Sequence, residues 1–154
     1  MFREMRRQDR KMNKDEAIEL LKKCQYGILS TVGEDGYAYG VPLNYVYMDN
    51  NIYFHCASEG HKLDNIRNND KVSFCVVGKV ENVPERFTTK YESVIAFGKA
   101  CEVNGDKKYS AFIALLKKYS EQYIEKGKKY IKNTDDKVKI IKISIEAITG
   151  KANK

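Results

Sequence analysis

Residues 26–57 decide the fold: Tyr26-Gly27-Ile28-Leu29-Ser30-Thr31-Val32, then Gly33-Glu34-Asp35-Gly36, then a run from Tyr37 to Met48, then Asp49-Asn50-Asn51, then Ile52-Tyr53-Phe54-His55-Cys56-Ala57. Three stretches rich in β-branched and aromatic residues are separated by clusters of Gly, Asp and Asn, the pattern of strands joined by tight turns. Loops this short reverse the chain, so neighbouring strands pair antiparallel. Pro42 lies inside the second run. Having no N–H to give to a ladder, it predicts an edge position, a bulge or a bend.

Upstream, Asn13 followed by Glu16 resembles a capping box, and Ala17, Ile18, Leu20, Leu21 and Cys24 recur at helical spacing, which predicts a helix over about 14–25. Downstream, Leu63 and Ile66 suggest a short helix within 61–68, and a fourth strand falls at 72–77. A longer strand follows at 93–103, and 106–119 reads as an amphipathic helix with Phe112, Ile113, Leu115 and Leu116 inward and its lysines outward. Residues 138–145 form a near-alternating sixth strand. With no βαβ rhythm, six strands and a few helices predict a mainly β chain with flanking α-helices, an antiparallel barrel with helices packed outside. No repeat or low-complexity linker divides residues 1–154, so the chain reads as one domain behind a basic leader, residues 1–13.

The 154 residues carry a formal charge of +7. That excess raises nucleic acid as a partner, and its distribution argues against it: residues 1–14 sum to +4, residues 15–105 to −4 and residues 106–154 to +7. The lysines near the C-terminus alternate with apolar residues and read as solvated faces. No window has the uninterrupted apolar length of a membrane span, and the leader lacks the apolar core of a secretory signal, so a cytoplasmic location is expected, with no membrane partner. Cys24, Cys56, Cys75 and Cys101 form no C-x-x-C pair and sit in apolar contexts, as small hydrophobes do.

The segment richest in chemistry is Tyr53-Phe54-His55-Cys56-Ala57-Ser58-Glu59-Gly60-His61-Lys62. A strand ending in Ser and Gly and opening a helix with cationic side chains has the ingredients of a phosphate site: free backbone N–H groups, a hydroxyl, a close-approach glycine and a positive charge. Ser58, His61, Lys62 and Arg67 are the candidate ligands. It is not a P-loop, since G-x-x-x-x-G-K-[ST] is absent. His55 and His61 are the two histidines, and the nearby Glu59 and Asp64 make no convincing metal set. No hydrolase signature and no G-x-G-x-x-G nicotinamide fingerprint occurs. Among eleven tyrosines and six phenylalanines, Tyr39, Tyr45, Tyr47, Tyr53, Phe54 and Phe87 fall near this segment; most read as core or subunit surface, and a few could flank a flat aromatic ligand.

The ordered blocks Met5-Arg6-Arg7-Gln8-Asp9-Arg10, Tyr26-Gly27-Ile28-Leu29-Ser30-Thr31, Val41-Pro42-Leu43-Asn44-Tyr45-Val46-Tyr47, Tyr53-Phe54-His55, Gly60-His61-Lys62, Tyr91-Glu92-Ser93-Val94 and Thr149-Gly150-Lys151-Ala152 resemble the nitroimidazole-resistance (Nim) family. That family belongs to the pyridoxamine-5'-phosphate-oxidase-like FMN-binding split barrels. The resemblance runs from about Met5 to Ala152 and implies a six-stranded split barrel working as a homodimer, with FMN at the subunit interface. It assigns Ser58, Gly60, His61 and Lys62 to the flavin phosphate, and Thr31, Pro42, Leu43, Asn44 and Tyr45 to the ribityl chain and ring. Ser93 would reach the flavin from the other subunit, and His55 corresponds to the family's histidine near the flavin.

The activity so implied is reduction of a nitroimidazole-like or other small aromatic substrate by hydride from reduced flavin, with an electron donor that the sequence does not identify. His55 would orient the substrate or supply a proton, or else be a satisfied residue of the barrel wall. A flavin-binding or flavin-sequestering module with little turnover, and a haem-binding relative on the same barrel, are the alternatives, because one fold hosts many functions.

Overall fold

The computed structural model describes residues 2–154. One antiparallel sheet of seven strands, ordered β2-β1-β5-β6-β7-β4-β3, forms the body. In chain order the elements are α1 (Lys14–Lys23), β1 (Gly27–Val32), β2 (Ala38–Leu43), β3 (Val46–Met48), β4 (Asn51–Ala57), α2 (His61–Asn68), β5 (Lys71–Val83), β6 (Thr88–Val103), α3 (Gly105–Tyr119), α4 (Ile124–Thr134) and β7 (Val138–Asn153). The expected count of six strands becomes seven because the run 37–48 breaks at Asn44-Tyr45. Its two halves lie at opposite edges of the sheet.

That break dictates the shape. Strands sit about 4.8 Å apart, so in a flat sheet the β2 and β3 edges would be roughly 29 Å from each other. Two linking residues span about 10 Å at most. The sheet must therefore curl until its edges converge at Asn44-Tyr45. They do not pair there, so the barrel stays split. Pro42 lies on the edge strand β2 opposite Ile28, where a missing donor costs no ladder bond to a further strand.

Tyr45 fastens this corner. Fully buried, it donates its hydroxyl proton to the Leu21 carbonyl at the end of α1, and its ring meets Phe74 edge-on with centroids 4.7 Å apart. Its backbone N–H donates to the Tyr119 hydroxyl (3.0 Å), and its carbonyl accepts from Lys118 Nζ (3.0 Å). The Tyr119 hydroxyl lies 2.6 Å from the Gln25 carbonyl and 2.9 Å from that of Tyr45, either of which can take its proton. Helices α1 and α3 thus tie the link between the two sheet edges.

The hairpins follow their turn residues. Asp49 and Asn50 both have positive φ (52° and 63°) between paired Met48 and Asn51, the conformation that matches the twist of two-residue hairpins. In α1 half of the expected capping box forms: the Glu16 N–H donates to Asn13 Oδ1 at 2.8 Å, while the Glu16 carboxylate accepts from the Asn13 side-chain amide at 2.6 Å rather than from its backbone N–H. Strand β7 runs well beyond the expected 138–145. Its pairing with β6 shifts between Phe97 and Gly98, leaving Glu146 without a partner. One extra residue swaps the inward parity, so Ile141, Ile143 and Ile145 face the barrel core before it and Ile148 and Ala152 after it. A Cβ at Gly98 would stand 2.2 Å from the Ser144 carbonyl oxygen, so glycine is required there.

Two apolar layers result. Inside the barrel, Leu21, Leu29, Ile52, Phe54, Phe74, Val76, Val94, Ile141 and Ile143 pack together under α1 and α2. Outside it, Tyr53, Val103 and Ile140 are covered by Ala111, Phe112 and Leu115 of α3 and Ile131 of α4. The outward placement expected for the α3 lysines needs two corrections. Lys108 is buried, its Nζ donating to the Asp135 carbonyl (2.7 Å) beside that residue's carboxylate (3.3 Å), and Lys118 is half-buried at the Tyr45 corner. No described helix is long and apolar enough to cross a membrane.

Candidate functional site

The segment that the sequence offers as a phosphate site lies at the end of β4 and the start of α2. Ser58, Glu59 and Gly60 are exposed, and Gly60 occupies the N-cap of α2 with φ +152°. A side chain there would meet no atom within 4 Å, so the backbone conformation, rather than crowding, calls for glycine, and the space above it is open. The cap makes no side-chain hydrogen bond, and the first intrahelical bond runs from the Asp64 N–H to the Gly60 carbonyl at 3.1 Å. The N–H groups of His61, Lys62 and Leu63 therefore point out of the helix end without a capping side chain, and the helix dipole favours an anion before them.

Two contacts fix α2 in place. Asn65 Nδ2 donates to Thr31 Oγ1 across 3.0 Å, both groups being buried. The His61 ring lies against Tyr39 of β2 with centroids 3.9 Å apart. Desolvation by the protein packed beside it, and then the charge of half-buried Lys62, hold His55 below the usual imidazole range even though its side chain keeps an exposed edge. The neutral imidazole is thereby favoured at neutral pH. His55 sits on the outer side of β4, paired with Ile140 of β7, and with Asn44 it borders a cavity of about 140 Å³. The other walls are Phe112, Leu115, Leu116, Tyr119 and Ser120 from the α3 end and Tyr130 and Ile131 from α4.

The structure thus sets Ser58, Gly60, His61 and Lys62 around one helix start, brings the Lys62 charge near His55, and places His55 on a cavity shared with Asn44. It does not bring every residue expected there. Thr31 and Tyr45 stand inside the wall, 1% and 0% exposed, and each acts as a tie: Thr31 to α2, Tyr45 to the corner. Leu43 packs partly into the inner core, while Pro42 is exposed on the outer side of β2. Arg67 pairs with Asp64 at 3.5 Å on the surface of α2. Ser93 is remote. Paired with Lys151, it lies eleven residues along β7 from the partner of His55, on the order of 35 Å of strand.

Lys118 and the cavity walls were not foreseen. Desolvation brings Lys118 down to about 8, with its Nζ 3.9 Å from the centroid of the Tyr45 ring. Its spacing carried the signal: Lys108, Ala111, Leu115 and Lys118 recur at intervals of three, four and three, on one helical face. Helix α4 is hidden in the sequence because Gly127 interrupts the apolar series Ile124, Ile131. A Cβ at Gly127 would fall 2.5 Å from Leu116 Cδ2, so the glycine lets α4 press onto α3.

The molecule is a small split β-barrel, its edges unpaired, with a glycine-opened helix N-terminus beside a half-buried lysine. The chain matches the pyridoxamine 5'-phosphate oxidase family over residues 14–152 and belongs to it. Solved structures with the same fold include a conserved protein from Mycobacterium tuberculosis (TM-score 0.82, 19% identity, 97% of this chain and 90% of that one). A candidate 5-nitroimidazole antibiotic resistance protein from Bacteroides thetaiotaomicron is similar as well (TM-score 0.73, 19% identity, 92% and 85% covered). So is an FAD-binding protein from Mesorhizobium loti (TM-score 0.67, 21% identity, 94% and 98% covered). No curated protein matches the chain.

Proposed function

We propose that this chain is an FMN-dependent oxidoreductase that reduces nitroimidazole-like or other small aromatic compounds, working as a homodimer with a flavin at each subunit junction. The observation that carries the reading is the cradle at Gly60: an uncapped helix N-terminus, a serine hydroxyl and a half-buried lysine, next to a neutral-leaning histidine. These donors suit a phosphate ester, so the residues present fit FMN. Ser58, the first-turn N–H groups of α2 and Lys62 would hold the phosphate, while Asn44 and Pro42 offer the rim along which the rest of the molecule lies. When bound, FMN supplies hydride transfer, and the protein supplies binding, orientation and electrostatics. His55 has one ring N–H to donate to a substrate oxygen in its neutral form, and it orients the substrate through that atom.

The dimer reading is supported by apolar surface left on the outer side of the central strands. Val77, Ile95 and Phe97 are 56%, 41% and 40% exposed, and the β5–β6 hairpin carries Val80 (55%) and Phe87 (97%) into solvent. Contiguous exposed apolar surface of this kind marks interaction sites. Ser93 belongs to the same region, between Val77 and Lys151 in the ladder, and from there it can reach a flavin held by a second copy.

The test is reconstitution followed by turnover. The purified protein is expected to bind FMN stoichiometrically, and anaerobically reduced FMN on the protein is expected to be reoxidised by 2-methyl-5-nitroimidazole. Lys62→Ala should weaken FMN binding about 10- to 100-fold, the scale of a lost hydrogen bond to a charged group. Binding of flavin without reoxidation by any nitroaromatic would favour a sequestering module, a Soret band would favour haem, and a protein that takes up neither would overturn the proposal.

A further inference from the structure

We infer that the tip of the β5–β6 hairpin is a dimer arm: Phe87 of each copy seats on the outer side of the second copy, beside Cys101 and against the flank of the α3–α4 layer. This rests on the homodimer of the reading above. It adds the direction in which the two copies run and a residue that each lends to the other's site.

The arm is aimed and braced. Val77 pairs with Ser93 and Val80 with Tyr91, so Gly78 and Lys79 together oppose Glu92, a bulge that re-aims the hairpin where it leaves the barrel. Beyond the bulge, Thr89 Oγ1 donates to Asn82 Oδ1 (3.0 Å). Asn153, at the end of β7, donates from Nδ2 to Thr88 Oγ1 (3.1 Å) and to the Thr89 carbonyl (2.6 Å). On this braced tip Phe87 is 97% exposed with φ 51°, a left-handed conformation that a bulky side chain adopts at a cost. Neither the exposure nor the backbone strain serves the isolated chain, and both serve a partner that takes up the ring.

The outer side of the sheet decides where the ring goes. Its exposed apolar stripe runs from Val80, level with Tyr91, through Val77, level with Ser93, to Ile95 and Phe97, so its middle lies at Val94 of β6. On the same side, at Val103, α3 and α4 cover the sheet. Two copies stacked with their strands parallel would set these helical layers, each about 10 Å thick, against one another and hold the stripes farther apart than the ~10 Å at which sheets pack. Stacked antiparallel about the middle of the stripe, each layer falls beyond the tip of the other copy's hairpin. Phe87, seven residues before Val94, then lies opposite the residue seven beyond it, Cys101, which is exposed on the outer side in phase with Ile95 and Phe97. Val103 follows two residues later, and its partner Ile140 pairs with His55. The partner subunit's Phe87 therefore bounds the His55 end of the barrel.

The experiment uses the full chain. Cys75 also faces outward within the stripe, so the crosslinking is done in a Cys75→Ser background. Phe87→Cys, treated with a short bismaleimide, should give a covalent dimer in which peptide mass spectrometry joins position 87 to Cys101 of the partner subunit. The background chain alone should give none, because its two Cys101 thiols would stand on the order of 45 Å apart along the strands. Phe87→Asn supplies a second readout of opposite sign. Asparagine accepts the left-handed conformation, so the chain should be at least as stable in urea, while the dimer dissociation constant by sedimentation equilibrium should rise about tenfold or more. A dimer without the 87–101 link, a tip-to-tip link that survives Cys101→Ser, or undiminished association of Phe87→Asn would each overturn the inference and leave the homodimer standing. A monomeric wild-type chain would overturn both. The 87–101 link upholds the inference even where the dimer reduces no nitroaromatic, a result that would count against the proposed activity alone.

Discussion

Replacing Thr31 by valine separates two roles that the residue could play, a ligand of the flavin or an anchor of the helix that holds its phosphate. The substitution keeps the shape of the side chain and removes Oγ1. Thr31 is 1% exposed and Asn65 5%, and the 3.0 Å bond between them is buried, so the Asn65 amide loses a partner that water cannot replace. Leaving a buried donor unsatisfied costs about 1–3 kcal/mol. For a domain of this size each kcal/mol lowers Tm by roughly 2–4 °C, giving an expected fall of about 2–12 °C. Asn65→Leu should cost a similar amount by stranding the Thr31 hydroxyl. The double variant Thr31→Val/Asn65→Leu removes both polar groups and should recover part of the loss, with a coupling of about 0.5–3 kcal/mol in a urea-denaturation cycle. Flavin affinity measured in parallel should weaken in either single variant only as far as α2 is loosened. Strictly additive destabilisation, or a Thr31→Val protein of unchanged stability that no longer binds flavin, would refute the anchoring argument.

Lys118 should give the protein a signature on the alkaline side. Because its folded value is brought down from 10.5 to about 8, the unfolded chain binds more protons between those pH values, and this group's contribution to stability rises as pH increases from about 8 to 10.5. The tyrosines at the same corner act oppositely, since burial raises Tyr45 and Tyr119. The comparison is therefore wild type against Lys118→Met in denaturant titrations across that range, and a difference that does not change with pH would contradict the assignment. Gly127→Ala sets a helix-propensity gain of about 1 kcal/mol against a Cβ placed 2.5–3.2 Å from Leu116. Overpacking of this kind costs about 1–3 kcal/mol, and Leu116 can escape only by turning toward the neighbouring cavity. A net loss of stability by calorimetry is expected, and a stabilised variant would count against the close α3–α4 packing.

What could be read from residues alone was the local alternation, and what could not was the consequence of two short interruptions. The strand stretches within 26–57 and the α1 N-cap are local features: each is decided by neighbours within four residues, and each stands within a residue or two of where the pattern puts it. Asn44-Tyr45 is different. Nothing in Val41 to Tyr47 says that the strand must end, because Tyr45 has high strand propensity and its own environment is made by Leu21, Gln25, Lys118 and Tyr119, up to 74 residues away. Glu146 is a second such case, invisible until β6 pairs with it and a bulge reverses the parity of β7.

The site divides along the same line. That Ser58, Gly60, His61 and Lys62 sit together at a helix N-terminus was legible because they are consecutive or nearly so in the chain. The cavity beside His55 was not, since four elements build it and one of them, α4, was concealed by Gly127, whose value lies in contact with Leu116 rather than in helix propensity. Net charge pointed outward for all the lysines, yet Lys108 and Lys118 fall in phase with Ala111 and Leu115, and each is drawn inward by a backbone carbonyl left at the end of another element. A lysine on an apolar helical face is therefore legible in the amino-acid sequence as a candidate tie, provided that its phase is weighed ahead of its charge.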